Sequence, residues 1–231
     1  MVLLSKYSLV LLSGGIGKRM QINIPKQFLL LAGKPIFIHV LEKIERLHQV
    51  EEVVMPCPVE FMEKTESIIG EYGFHTPIKI IEGGSSRQES VYLGLLQCSN
   101  EQVIIHEAVR PFITVEGFQE LINERSENAI FGLDIPFTVL KGKEFVEENL
   151  ERSQLVNVQL PHKYNTSKLL YAHECARQDS EEFTEDASLY FHYFQSPIAI
   201  LEGFEENIKI TKPIDRIIAE AIYKNSVYME G

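Results

Sequence analysis

The sequence predicts an α/β protein built on a doubly wound, mostly parallel sheet. Two observations indicate this fold class. Short apolar runs alternate along the chain with segments of helical periodicity, and turn residues, above all glycine, separate the two. The length of 231 residues suits one large core, so we expect a single domain over 1–231.

The first half of the chain predicts four strands, each followed by a helix. Strands are expected where apolar runs end at glycine, at proline or at a charged residue: 7–12, 52–55, 78–81 and 103–105. Pro56 and Pro58 are expected to stop the second of these strands. Helices are expected where a proline or a hydroxyl residue precedes apolar residues at helical spacing: 35–47, 59–72, 85–97 with a Ser85 or Ser86 cap, and 115–125 with a Thr114 cap.

The region from about 135 to 160 breaks this alternation. Pro136, Gly142 and a charged run over 141–152 predict an excursion from the main sheet. The alternation then resumes. Helices are expected at 165–177, from a Thr184 cap and after Pro213, and a last strand is expected at 198–201.

The charge of the chain is unevenly distributed. The whole sequence has 22 Lys and Arg against 33 Asp and Glu, a net charge of −11, which argues against a nucleic-acid polymer as partner. The first fifty residues nevertheless carry seven basic and two acidic side chains, a net charge of +5. A basic segment within an acidic protein indicates a local anion site.

Composition excludes two further classes of protein. No apolar run approaches the roughly 18 residues that a membrane span needs, and no signal sequence precedes the first strand, so we expect a cytoplasmic protein with no membrane partner. The three cysteines, Cys57, Cys98 and Cys175, are widely spaced and odd in number. They are expected to be small buried residues, not metal ligands or a disulfide framework.

Open parallel sheets bind ligands beyond the carboxyl ends of their strands, and three such ends carry glycine or charge here. In the first, glycines let backbone N–H groups approach a phosphate and cations neutralise its charge. This segment comprises Leu12, Ser13, Gly14, Gly15, Gly17, Lys18, Arg19 and, further on, Lys26. It is not a Walker loop, because Arg19 stands where Ser or Thr would hold magnesium, and Met20 replaces the third glycine of a dinucleotide fingerprint. A generic glycine turn is the alternative.

The second and third strand ends add donors and a carboxylate. The turn at Gly83 and Gly84 opens a helix and offers unpaired N–H groups to an anion or a base edge, although such a pair is often only a turn. At the third end, Glu107 is a hard oxygen ligand suited to Mg²⁺. The alternative for Glu107 is a local ion pair with Arg110.

Four motifs occur in one order along nearly the whole chain: G-x-G-x-R-M…P-K-Q-F at 15–28, G-G-x-x-R-x-x-S-V at 83–91, H-[DE]-A-x-R-P at 106–111 and N-I-K-x-T at 207–211. Together they resemble the cytidylyltransferases that activate polyol phosphates, namely the methylerythritol 4-phosphate and ribitol 5-phosphate cytidylyltransferases. The resemblance implies a Rossmann-like nucleotidyltransferase sheet with a protruding dimerisation arm at about 135–160.

The resemblance also implies the reaction and the residues that carry it. CTP is expected over the strand ends, where the phosphate of the acceptor attacks the α-phosphorus and pyrophosphate leaves. The catalytic cations implied are Arg19, Lys26, Lys209 and Arg152, with Mg²⁺ held by Glu107. The nucleotide-binding residues implied are Leu12, Ser13, Gly14, Gly15, Gly17, Lys18, Gly83, Gly84, Ser85, Arg87, Ser90 and Arg110.

Acceptor binding is implied to involve two subunits. The family works as a homodimer in which an arm crosses to the neighbouring site, so Thr138 and Arg152 would grip the acceptor phosphate of the partner subunit. Glu185 is expected on the acceptor side of the chain's own site.

The sequence departs from the family pattern at several positions. Glu107 and Glu185 replace the usual Asp, and Leu160 and His162 replace a Thr and a Gln near the acceptor. Because most of these changes lie on the acceptor side, CTP use is better supported than any particular acceptor. The alternatives are a cytidylyltransferase for another phosphate or phosphonate, and a drifted nucleotide-binding protein.

Overall fold

A computed structural model describes residues 5–14 and 25–229. The strands are β1 Tyr7–Leu12, β2 Leu30–Leu31, β3 Lys34–Pro35, β4 Val50–Cys57, β5 Ile78–Glu82, β6 Gln102–Glu107, β7 Ala129–Asp134, β8 Val139–Lys141, β9 Glu148–Leu150, β10 Val156–Asn165 and β11 Ala199–Glu202. Seven of these strands form one sheet in the order β11-β7-β10-β6-β1-β4-β5, in which only β10 runs antiparallel to its neighbours. The helices are α1 Ile36–Ile44, α2 Met62–Tyr72, α3 Arg87–Leu95, α4 Val115–Asn123, α5 Thr166–Asp179, α6 Asp186–Phe194 and α7 Pro213–Met229.

Helices cover both faces of this sheet, as the predicted α/β class requires. Successive side chains of a strand point to opposite faces, and β1 is buried throughout. Leu9 and Leu11 therefore pack with α1, α2 and α4, whereas Val10 and Leu12 pack with α3, α5 and α6. A smaller apolar cluster joins α7 to β2. The strand ends are thus fixed from both sides.

The first four strands and helices of the prediction are confirmed, with one correction. Pro56 does not stop β4, which continues to Cys57. The proline lacks an N–H, but its carbonyl still accepts a hydrogen bond from the backbone N–H of Ser13, 3.2 Å away. This bond ties the end of β4 to the turn that follows β1.

Most of the predicted helix caps are present. The hydroxyls of Ser86 and Thr114 accept hydrogen bonds from the backbone N–H groups of Glu89 and Gly117, at 3.1 and 3.0 Å. The Thr184 cap is wrong, because Glu185 occupies the N-cap position of α6 and makes no capping bond. The Glu185 carboxylate instead forms an ion pair with Arg87.

The excursion predicted at 135–160 is present, but its end differs. The short strands β8 and β9 form a separate hairpin, and the chain then re-enters the main sheet at Val156 as β10. Residues 156–160 therefore belong to the sheet. The hairpin exposes Phe145 by 81%, and the segment before it exposes Phe137 by 75%. In the part of the chain that the structure describes, no helix has both the length and the apolarity to cross a membrane.

Candidate active site

The strand ends singled out in the sequence meet at one edge of the sheet. Leu12 and Glu107 are register partners at the ends of β1 and β6, and the backbone N–H of Ala108 donates to the Leu12 carbonyl at 3.0 Å. On the other side, the N–H of Gly83 donates to the Cys57 carbonyl at 2.9 Å. The turns after β1, β4, β5 and β6 are therefore neighbours.

The glycine turn after β5 leaves no room for a side chain at Gly84. A Cβ atom on Gly84 would lie 2.3 Å from Cγ and 2.9 Å from the backbone carbonyl carbon of Glu89. A Cβ atom on Gly83 would make only ordinary van der Waals contact, 3.5 Å from both the backbone N and O of Cys57. Ser90 holds the turn, because its hydroxyl accepts from the Gly84 N–H at 3.1 Å. Gly14 faces the same hydroxyl, 3.8 Å from where its Cβ would lie.

Glu107 is the centre of charge at this edge. Its side chain is only 6% exposed, and three cations surround its carboxylate. Lys209 Nζ lies 2.8 Å and Arg87 Nε 3.7 Å from Oε1, while Arg110 Nε lies 3.3 Å from Oε2. Burial would raise the pKa of Glu107, but these three cations lower it below its usual value. The carboxylate is therefore held in its ionised form.

Arg87 links Glu107 to two acids at the start of α6. Its Nη2 lies 2.9 Å from a carboxylate oxygen of Glu185 and 2.9 Å from one of Asp186. Asp186 is fully buried, and its other oxygen lies 3.2 Å from Nε2 of His173. Burial opposes ionisation of Asp186, yet Arg87 and His173 hold its pKa well below the usual range. Burial raises the pKa of Glu185, which Arg87 only partly offsets.

Two histidines beside these charges are neutral. Burial lowers the pKa of His106 and of His162 to about 3. Nε2 of His106 lies 3.1 Å from the backbone carbonyl of Arg110, and Nδ1 of His162 lies 3.3 Å from the hydroxyl of Tyr164. Both rings are fully buried, so neither is available to exchange protons with a bound ligand.

Neither of the two predicted arm residues forms a hydrogen bond or ion pair with this cluster in the described part of the chain. Thr138 and Arg152 are both exposed, and Arg152 Nη1 donates to the backbone carbonyl of Pro136 at 2.6 Å. Lys26 lies buried in a short 3-10 turn over Lys26–Phe28. Four predicted residues lie outside the described residues: Gly15, Gly17, Lys18 and Arg19. The roles of all these residues remain predictions.

Sequence reasoning missed the pivot of the network. Arg87 was expected to bind nucleotide, and that role remains a prediction; nothing in the sequence indicated that its guanidinium pairs with Glu185 and Asp186. His173 was not singled out, because one histidine within a helix gives no signal of its partner. The only signal for Asp186 was its place beside Glu185 in the acidic motif before α6.

The residues of this edge fit a divalent cation on one condition. Metal ligands must be deprotonated, and Glu107 is ionised at this edge. Lys209 must then release Oε1, from which it lies 2.8 Å. His162, Glu185 and Asp186 also place one potential ligand atom each within 4.8 Å of one another. There Arg87 already pairs with both carboxylates, so it is the cation of that cluster.

The fold and these strand-end motifs together define an α/β nucleotidyltransferase. The model of the 2-C-methyl-D-erythritol 4-phosphate cytidylyltransferase family matches residues 7–225, and the chain belongs to this family. The predicted family and fold class are thereby confirmed.

Relatives match over nearly the whole chain. The 2-C-methyl-D-erythritol 4-phosphate cytidylyltransferase of Geobacillus kaustophilus is 34% identical over 220 residues, covering 94% of this chain and 96% of that protein. The protein of the same name from Clostridium botulinum is 35% identical over 226 residues, covering 95% and 98%.

Solved structures show the same fold. The 4-diphosphocytidyl-2C-methyl-D-erythritol synthase of Anaerococcus prevotii superposes with a TM-score of 0.84 at 23% identity, covering 95% of this chain and 96% of that one. The 2-C-methyl-D-erythritol 4-phosphate cytidylyltransferase of Thermus thermophilus superposes with a TM-score of 0.76 at 26% identity, covering 95% and 99%.

Proposed function

We propose that the chain, as one catalytic domain, transfers the cytidylyl group of CTP to 2-C-methyl-D-erythritol 4-phosphate and releases pyrophosphate. Family membership supports the reaction class. The observation that carries the proposal is the buried, ionised Glu107 among Arg87, Arg110 and Lys209, beside a glycine turn at the ligand-binding edge of the sheet. In keeping with the expectation from the sequence, we also propose that the enzyme acts in the cytoplasm.

The chemistry requires positioning and charge stabilisation more than proton transfer. An acceptor phosphate monoester has a second pKa near 6, so its dianion is the main form at pH 7. One of its oxygens forms a bond to the α-phosphorus while the bond to the β-phosphate oxygen breaks, and pyrophosphate takes the electron pair. No general base is needed, which agrees with His106 and His162 being neutral and buried.

Each strand end then has a task. The turn after β1 binds the triphosphate through backbone N–H groups, and Gly83, Gly84, Ser85 and Ser90 bind cytosine and ribose. Arg19, Lys26 and Lys209 neutralise charge that develops on the transferring phosphoryl group. Arg110 serves the nucleotide from a fixed position, because its Nη1 donates to the Asn207 carbonyl at 2.9 Å.

Glu107 is the residue that would hold Mg²⁺. When bound, the metal would supply charge neutralisation and orientation of the phosphates. Magnesium sites of this kind use one or two carboxylates together with substrate phosphates, so one buried carboxylate suffices. Glu107 has one more methylene than the Asp usual in the family and is expected to reach further from β6 toward the phosphates.

We further propose a homodimer in which the arm of one subunit completes the acceptor site of the other. The arm exposes large apolar side chains, which mark protein interfaces in soluble proteins: Phe137, Leu140, Phe145 and Val146. A cavity of about 1210 Å³ lies at the arm's root, lined in part by Ile135, Val156 and Ile200. In this arrangement Thr138 and Arg152 contact the partner's acceptor, and Glu185 contacts its own.

Pyrophosphate release with a panel of substrates tests the proposal. We expect turnover with CTP and 2-C-methyl-D-erythritol 4-phosphate, and little with UTP or ATP. Because Leu160 and His162 alter the acceptor side, D-ribitol 5-phosphate and a phosphonate belong in the panel. Preference for either would reassign the acceptor, whereas CTP binding without release under any condition would indicate a binding protein.

A subunit-mixing experiment tests the arm. Arg152→Ala and Lys26→Ala homodimers should each have strongly reduced activity when assayed alone. If the arm serves the neighbouring site, a hybrid dimer contains one site that has both residues, so mixing should restore part of the activity. Absence of recovery in verified hybrids would refute arm exchange.

A further inference from the structure

The three cations around Glu107 differ in how firmly other groups hold them. Arg87 is anchored by Glu185 and Asp186, at 2.9 Å each, and its side chain is only 22% exposed. Arg110 is 14% exposed and donates to the carbonyl of Asn207. The Asn207 side chain donates in turn to the Leu160 carbonyl at 2.7 Å. Neither arginine can leave without breaking buried contacts.

Lys209 lacks such anchors. Within 5–14 and 25–229, its Nζ makes one hydrogen bond or ion pair, the 2.8 Å contact with Oε1 of Glu107. The side chain is 38% exposed and belongs to a segment between β11 and α7 without regular secondary structure. A lysine ammonium on a flexible four-carbon stem also reorients more easily than a guanidinium fork.

Lys209 occupies Oε1, the oxygen of Glu107 to which neither arginine donates a hydrogen bond, whereas Oε2 accepts from the anchored Arg110 at 3.3 Å. A magnesium ion binds a carboxylate oxygen at about 2.1 Å, so the ion and the Lys209 ammonium cannot both approach Oε1 from the same side. Arg87 Nε approaches Oε1 only to 3.7 Å, beyond hydrogen-bond distance, because the α6 acids hold its guanidinium. Lys209 is therefore the one of these three cations whose movement frees Oε1.

We propose that Lys209 is a displaceable cation that occupies Oε1 of Glu107 and yields it to the divalent cation when nucleotide phosphates attract the ammonium. The proposal rests on the proposed role of Glu107 as metal ligand. A lysine that only binds phosphate would leave metal affinity unchanged, whereas this exchange makes the affinity of the site for metal depend on bound nucleotide. Free metal should bind weakly, and metal and CTP should strengthen each other's binding.

Mn²⁺ binding without nucleotide or acceptor tests this inference. Free Mn²⁺ is measured by electron paramagnetic resonance in the wild type, Lys209→Met and Lys209→Gln. Both variants should bind Mn²⁺ about tenfold more tightly than the wild type, since a competing unit charge next to Oε1 has been removed. Lys209→Arg should keep the weak binding. Lys212→Met is the matched control, because Lys212 is exposed three residues further on, and it should not change Mn²⁺ affinity.

Two results of the titrations without nucleotide would overturn the inference. One is Mn²⁺ binding by both Lys209 variants that is no tighter than in the wild type. The other is a gain that survives in the double variant Glu107→Gln/Lys209→Met, because the metal would then not use Glu107. Adding CTP should strengthen Mn²⁺ binding by the wild type more than by Lys209→Met, and equal strengthening would also contradict the exchange. These titrations do not depend on cytidylyl transfer. A protein that shows the gain in Mn²⁺ affinity but releases no pyrophosphate in the substrate panel would refute the proposed function and leave the exchange intact.

Discussion

Arg87→Met should destabilise the protein strongly, because Arg87 is the shared partner of three acids. Without it, His173 is the one remaining hydrogen-bond or ion-pair partner of the Asp186 side chain among the described residues, in a site where that side chain is 1% exposed. Removing one partner of a buried ion pair costs about 3–5 kcal/mol. Glu185 is 32% exposed and its pKa is already raised, so it relieves part of the cost by taking up a proton. We therefore expect a loss near the lower end, about 3 kcal/mol.

Urea unfolding followed by circular dichroism measures this loss, and thermal unfolding should show a decrease of about 6–12 °C for a chain of this size. A double-mutant cycle with Asp186→Asn isolates the pair, and its coupling energy should be about 1–3 kcal/mol. Lys168→Met is the control, since it breaks an ion pair with Glu127 at the surface and should change stability little. A loss below about 1 kcal/mol for Arg87→Met, or strict additivity in the cycle, would refute the view that Arg87 organises the site.

Three further predictions concern the turn, the pH dependence of stability and the catalytic cations. Gly84→Ala should lower the free energy of unfolding by about 1–3 kcal/mol and weaken CTP binding in calorimetry, because the new Cβ would collide with Glu89. Gly70→Ala is the control and should not destabilise the protein, because nothing lies within 4 Å of its Cβ. Hydrogen bonds from Thr76 and His75 outweigh burial and lower the pKa of Glu45 to about 2, so its contribution to the free energy of unfolding is complete above about pH 4.5 and is lost as the pH falls toward 2. In Glu45→Gln the free energy of unfolding should therefore depend less on pH between about 4.5 and 2 than in the wild type. An unchanged pH dependence would contradict this. Arg19→Ala and Lys26→Ala should each lower turnover by roughly 10²-fold in a pyrophosphate-release assay, and unchanged rates would remove them from the catalytic group.

The first half of the fold follows from the sequence because local signals agree there. Apolar runs, glycine turns and hydroxyl caps each indicate the same element between residues 7 and 123. The sequence did not predict β7 and β10. Pro161 within β10 argues against a strand, and Gly132 weakens the signal of β7. Gly132 is there for packing, since a Cβ would lie 2.9 Å from Ile200 of the neighbouring strand β11.

The candidate site was predictable where residues lie at strand ends, and unpredictable where helices bring charges together. Glu107 and the glycine turns follow directly from strand positions. The network of Arg87, Asp186 and His173 depends on α3, α5 and α6 packing on one face of the sheet. No periodicity or spacing encodes that arrangement, so a charged residue in such a helix looks like an ordinary surface residue until the fold is known.

The most direct test of the account is phosphorus NMR of CTP with 2-C-methyl-D-erythritol 4-phosphate and Mg²⁺, comparing the wild type with Glu107→Gln. The wild type should convert the signals of both substrates into those of pyrophosphate and a cytidine diphosphate diester, and Glu107→Gln, which retains size but not charge, should lose most of this conversion. Full conversion by Glu107→Gln, or none by the folded wild-type protein, would contradict the claim that cytidylyl transfer takes place at the Glu107 edge of the sheet.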